Sequence, residues 1–153
     1  MFDQSFTTTF VVHAEPAAVF AAINDVRGWW GEGADGPNDA VGDEFTYRVE
    51  DVHYSRIEVT RLVPGESIAW RVLDNHLSFV EDQSEWVGTT ITFEIVPKGA
   101  RTEVRFAHLG LVPSYECFDV CSNAWGSLMH GSLKSLITTG RGQPFPAAAR
   151  DGA

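Results

Sequence analysis

Apolar and polar residues alternate with a period of two in several separate stretches of the chain. Residues 5–13 (Ser-Phe-Thr-Thr-Thr-Phe-Val-Val-His) are rich in β-branched and aromatic side chains and predict a first strand. Phe45, Tyr47 and Val49 alternate with Thr46, Arg48 and Glu50. His53, Ser55, Ile57 and Val59 alternate with Tyr54, Arg56, Glu58 and Thr60. The same pattern returns at Ile68, Trp70 and Val72, at Ile91, Phe93 and Ile95, and at Val104, Phe106 and His108. One buried and one wet face on each strand predict an antiparallel sheet. Pro64-Gly65 and residues 97–100 read as turns. Residues 74–87 show weak periodicity and read as a loop with room for one helical turn.

The period changes to three and four in two places. Glu15-Pro16 opens a short helix that carries Val19, Phe20 and Ile23 on one face. Asn24-Asp25 ends it, and a second short helix covers 26–30. Gly31, Gly33, Gly36 and Pro37 mark a loop to about residue 41. Later, Phe118, Cys121, Trp125, Leu128 or Met129, Ser132 and Leu136 predict one long amphipathic helix over 114–139. It would be about 39 Å long, with Gly140 as its stop. Residues 1–143 read as a single domain, and 144–153 as a disordered tail. The order β-α-α-β-β-β-β-β-α predicts an α+β fold. In it a curved, antiparallel six-stranded sheet wraps around the long C-terminal helix. That arrangement leaves a cavity between sheet and helix unless large side chains fill it.

Charge and composition narrow the partners. The 153 residues hold 11 lysines and arginines against 21 aspartates and glutamates, a net charge of -10. No basic stripe is present to neutralise phosphates, so nucleic acid is not an expected partner. An anionic membrane surface is disfavoured for the same reason. No apolar run approaches the roughly 18 residues that span a bilayer. The first residues lack the pattern of a secretory signal, so a cytoplasmic location is expected. Cys117 and Cys121 share one helix face, one turn apart. Their spacing fits neither a redox C-x-x-C nor a zinc site, and they read as small buried hydrophobes. His13, His53, His76, His108 and His130 show no ligand spacing, so neither a metal nor a cofactor is expected.

Strand parity points Tyr47, His53, Ser55, Trp70, Phe93, Phe106 and His108 toward the long helix. Cys121 and Trp125 point back at them. Trp30, from the pair Trp29-Trp30, and Trp86 are expected near the open end of the grip. A lining of rings with a few polar groups suits a small hydrophobic or aromatic ligand. The alternative is a filled core whose polar groups are hydrogen-bonded. No Ser/His/Asp signature, HExxH or phosphate-cradling glycine loop is present, so no catalytic residue is assigned. His53 or His108 would be the general base if the cavity were an active site.

Several short motifs, in this order, carry a family resemblance. They are Glu15-Pro16-Ala17-Ala18-Val19-Phe20-Ala21-Ala22-Ile23, Arg27-Gly28-Trp29-Trp30, Gly42-Asp43-Glu44-Phe45 and Val63-Pro64. Glu85-Trp86-Val87-Gly88-Thr89, Phe106-Ala107-His108, Asn123-Ala124-Trp125-Gly126 and Leu136-Ile137-Thr138-Thr139-Gly140 complete the set. With them the chain resembles the START-like, helix-grip superfamily (SRPBCC). Within it, the chain is similar to bacterial homologues of the heat-shock-protein-90 ATPase activator, of the C-terminal-domain type. The resemblance implies the helix-grip fold. Superfamily members include lipid carriers, hormone receptors, plant allergens and polyketide cyclases, so the implied functions range from ligand binding to cyclase- or hydrolase-like catalysis. A chaperone-linked interaction module is the third reading, although the further N-terminal domain of the eukaryotic activators is not expected here. Nothing in the pattern marks an interface, and a homodimer stays open.

Overall fold

The computed structural model describes residues 4–50, 52–78, 80–81 and 83–144. Strand β1 (Phe6–Val12) leads into helices α1 (Pro16–Asn24) and α2 (Val26–Trp29). Six strands follow: β2 (Ala34–Asp35), β3 (Glu44–Val49), β4 (His53–Val63), β5 (Ser67–Leu77), β6 (Thr90–Lys98) and β7 (Arg101–Leu109). They form one sheet in the order β1-β7-β6-β5-β4-β3-β2, with every neighbouring pair antiparallel. Helix α3 (Phe118–Ser127) runs through π-helical turns at Leu128–Leu133 into α4 (Lys134–Thr139). This is the predicted helix grip, with one strand more than expected. The addition is β2, whose two residues pair Ala34 with Tyr47 and Asp35 with Thr46. A strand that short shows no alternation.

The second difference lies in β5, which extends through Asp74–Leu77 where the pattern suggested a loop. Ile57 pairs with Val72 while Arg56 pairs with Asp74, so Leu73 is an extra residue, a β-bulge. The bulge changes the parity of the buried face. Ile68, Trp70 and Val72 are buried before it, Asn75 and Leu77 after it. A fixed period of two cannot follow that shift.

The long helix differs in its start and in its middle. It begins at Phe118, after turns at 113–117. Its centre widens into π turns, which place Leu128, Met129, Ser132 and Leu133 all in the interior. Ser132 Oγ donates to the Trp29 carbonyl at 2.7 Å and accepts from the Gln143 amide at 2.7 Å. The helix centre is thereby tied both to α2 and to the chain beyond α4. Gly140, with φ of 82°, ends the helix as expected. Pro144 excepted, the tail expected at 144–153 lies outside the described residues. Among the described residues, no helix is long and apolar enough to cross a membrane.

Replacing Ser132 with Ala leaves the buried Trp29 carbonyl without its donor. The expected loss is about 1–3 kcal/mol of stability, read as a lower urea midpoint at unchanged slope.

Candidate functional site

The inward positions of β3 to β7 and of α3 meet in one cluster of rings. Trp30 stacks on Tyr47 with centroids 4.2 Å apart and planes at 15°. It also lies parallel to Trp70 at 6.1 Å and touches Trp125 at 5.1 Å. Trp125 reaches Phe106 at 4.7 Å and stacks on Trp86 at 5.8 Å. Phe93 joins Trp70 to Phe106, at 5.0 and 5.2 Å. His53 and His108 stand edge-on to Trp86, at 4.9 and 4.7 Å. Every ring expected to face the cavity is therefore in one connected group.

Trp29, Trp30 and Trp86 are 0%, 2% and 3% exposed, so they belong to the interior and not to an open mouth. Gly31 makes this packing feasible. A Cβ there would sit 2.3 Å from Tyr47 Cε1, so only glycine lets the tyrosine ring lie against the backbone after Trp30.

A chain of hydrogen bonds crosses the cluster. Trp125 Nε1–H donates to His108 Nδ1 at 3.0 Å. An indole nitrogen only donates, so Nδ1 carries no proton and the ring proton sits on Nε2. That Nε2–H is 2.8 Å from Thr89 Oγ1, which donates in turn to the Trp86 carbonyl at 2.6 Å. Helix, sheet and the loop before β6 are linked through one neutral imidazole. With both nitrogens engaged, His108 has no lone pair free to take a proton from a substrate. Burial, with His53 nearby, pushes its pKa down to about 3.

The second polar group starts at Ser55. His53 Nε2 and Ser55 Oγ are 2.8 Å apart, and Asn75 Nδ2 donates to the same oxygen at 3.1 Å. Asn75 Oδ1 accepts the Trp86 amide at 3.2 Å. Burial also pushes His53 down to about 3. On its outer side His53 borders a surface pocket of about 280 Å³ with Arg48, Glu50, Tyr54 and His76.

Cys121 is buried one turn before Trp125 and meets the Cys117 thiol. That contact and burial push the Cys117 thiol up, and both cysteines are free thiols. Glu85 holds the helix start: its carboxylate accepts the Glu116 amide at 2.8 Å and the Cys117 amide at 3.1 Å. A carboxylate is favoured at that end of a helix. Asn75, Thr89 and Glu85 are not among the expected site residues, although Glu85 and Thr89 bound the Glu85-Trp86-Val87-Gly88-Thr89 motif of the family resemblance. Asn75 and Thr89 lie within or beside the stretch read as a loop. Glu85 acts on amides more than thirty residues away. That motif, with the Gly88 turn inside it, is the local signal for Glu85 and Thr89, and Asn75 has none.

Three buried polar atoms in the cluster have no hydrogen-bond partner: Tyr47 Oη, Trp70 Nε1 and Trp86 Nε1. The Cys117 sulfur lies beside the Trp86 indole but does not meet hydrogen-bond geometry with it. Burial raises the Tyr47 phenol pKa, so it stays protonated.

Residues 13–138 match the family described as Activator of Hsp90 ATPase homolog 1-like protein. The chain belongs to that family. No curated protein matches. Among solved structures, the Aha1 dimer from Colwellia psychrerythraea is similar over 90% of this chain and 98% of its own, at 22% identity and a TM-score of 0.72. The protein MLL2253 from Mesorhizobium loti aligns over 86% of this chain and 96% of its own, at 15% identity and a TM-score of 0.66. DynU16, from the dynemicin biosynthetic locus, aligns over 92% of this chain and 49% of its own, at 14% identity and a TM-score of 0.65. At these identities the likeness shows the shared fold of the Aha1-like family.

The two histidines predict a pH dependence. Both are held near 3 in the fold, whereas an unfolded histidine titrates near 6.5. Below pH 6.5 the unfolded chain binds protons that the folded chain refuses. Stability is fully present above that pH and falls as pH drops, by up to about 1.4 kcal/mol per unit for each histidine. Urea unfolding between pH 5 and 7.5 reads the slope, and His53→Asn halves it.

Proposed function

We propose that the chain binds a small hydrophobic or aromatic molecule among the rings between the sheet and the C-terminal helix. Trp30, Tyr47, His53, Ser55, Trp70, Trp86, Phe93, Phe106, His108, Cys121 and Trp125 form the lining. The observation that carries this reading is the set of unpartnered Tyr47, Trp70 and Trp86 polar atoms inside an otherwise apolar cluster. Buried polar groups in native proteins are nearly always paired. Each one left unmet costs about 1–3 kcal/mol, and a bound molecule removes that cost. A surface pocket borders the cluster at His53, which itself touches Trp86. The place of one fold relative in a biosynthetic locus is in keeping with a small-molecule role.

One contact favours a second reading, a hydrolase-like enzyme in the same space. The Ser55 hydroxyl lies 2.8 Å from His53 Nε2, within the reach of a nucleophile and its base. Ser55 is fully buried, and an imidazole pushed down to about 3 is a weak base at neutral pH. These two facts place catalysis second. A chaperone-linked surface is third, since the exposed apolar residues Val11, Val41, Val52, Val87, Leu109 and Val120 are spread over separate elements. The Colwellia relative is a dimer, which makes pairing of this chain a proposal that light scattering can read.

Native mass spectrometry of the protein purified from its own host tests the binding reading, with a denatured run in parallel. A small-molecule adduct lost on denaturation is the expected result. A clean apo mass, together with no thermal shift across a panel of neutral aromatic compounds, overturns it.

A further inference from the structure

The two cysteines are placed more exactly than small core residues need to be. The Cys121 amide donates to the Cys117 carbonyl at 2.7 Å, which closes one helical turn and sets both side chains on one face. Both residues are buried, both are free thiols, and the two thiols meet. Cβ atoms one turn apart on a helix are about 5–6 Å from each other. A disulfide needs about 3.5–4.5 Å. The pair is spaced for an atom between the sulfurs, not for a bond between them. Two metal–sulfur bonds of about 2.3 Å each, the zinc–thiolate length, span such a gap.

A second observation points to the same place. Trp86 Nε1 is buried, has no hydrogen-bond partner, and lies beside the Cys117 sulfur. A neutral thiol is a weak acceptor, and a charged acceptor is a strong one. The indole N–H stands where a negative sulfur would use it. Cys117 is also the N-cap of the ten-residue α3, the helix end at which a thiolate is favoured. Against this, the Cys121 thiol, burial and the Glu85 carboxylate push the Cys117 thiol up. A cation seated between the sulfurs reverses that balance, since a coordinating thiol loses its proton outright.

The number of ligands selects the ion. Among the described residues, no group of three or more His, Cys, Asp and Glu side chains is placed to hold a metal. Structural zinc takes four ligands, and calcium takes six or more oxygens, so neither fits. The four-residue spacing excludes zinc and says nothing against an ion content with two thiolates. Among first-row metals, such soft ligands favour Cu(I). Glu85, whose carboxylate accepts the Cys117 amide, and a net charge of -10 both draw a cation in.

We propose that Cys117 and Cys121 form a two-coordinate site for a soft monovalent metal ion of the Cu(I) class, with the Trp86 indole donating to the Cys117 sulfur. The ion displaces both thiol protons: M⁺ and two S–H groups give [S–M–S]⁻ and two H⁺. The Trp86 N–H and the start of α3 meet the one negative charge that remains. No cavity is required, because the ion lies on the line between two sulfurs already in contact. The site is independent of ligand binding among the rings, and Tyr47 Oη and Trp70 Nε1 take no part in it.

Anaerobic titration of the reduced full chain with Cu(I), in competition with bicinchoninate, tests the site. The expected result is one Cu(I) per chain, two protons released, and an X-ray absorption spectrum with two sulfur neighbours. Cys117→Ser and Cys121→Ser, each checked for its fold by circular dichroism, abolish the uptake. Trp86→Phe keeps the two-sulfur coordination and weakens the affinity about tenfold. No uptake by the parent chain overturns the proposal. So do nitrogen or oxygen neighbours in place of the two sulfurs, and so does equal uptake by the two serine variants. The first two of these readings need no variant. Equal affinity in Trp86→Phe overturns the part given to the indole.

Discussion

An indole nitrogen gives a hydrogen bond and cannot take one. From that constraint the protonation of His108 follows, and from His108 the join between helix, sheet and loop. Trp125 sits on α3, His108 on β7, and Thr89 immediately before β6. The direction of each bond in the series is set by the one before it. Protonating the imidazole would turn two N–H groups toward each other across about 3 Å. A buried histidine that usually invites a catalytic reading is here a neutral structural bridge, built where two strands and a helix converge.

The rings depend on that bridge for their placement. Trp86 is held at its carbonyl by Thr89 and at its amide by Asn75, and its neighbour Glu85 grips the amides at the start of α3. A residue outside regular structure thus becomes as fixed as a strand residue. It stacks on Trp125, and His53 and His108 stand nearly perpendicular to it. Stacked and edge-on rings each add a modest increment beyond the area they bury. The polar scaffold holds them in register and leaves the Tyr47, Trp70 and Trp86 donors unmet.

Much of this is legible in the sequence. Alternation in β3, β6 and β7 placed Tyr47, Phe93, Phe106 and His108 on the inner face, and helical spacing placed Cys121 and Trp125 opposite. What escaped were the irregularities. The bulge at Leu73 changes the parity of β5, so Asn75 falls outside any fixed period. The π turns alter the helix phase at Leu128–Leu133, which a repeat of three and four does not show. Glu85 bonds to amides remote in sequence, and no local pattern encodes such a contact. The stacking of Tyr47 on Trp30 depends on the missing side chain at Gly31, a glycine that otherwise reads as part of a turn.

The chain has five tryptophans, and all of them lie in or against this cluster. Its ultraviolet emission therefore originates from one small volume, with no indole elsewhere to add background. Parallel indoles about 6 Å apart, such as Trp30 and Trp70, are close enough for their transitions to couple. Coupled transitions mark the circular dichroism with a paired band that is sensitive to the angle between rings. The fold carries its own spectroscopic gauge at its centre, and that gauge responds to any change in the spacing of the stack.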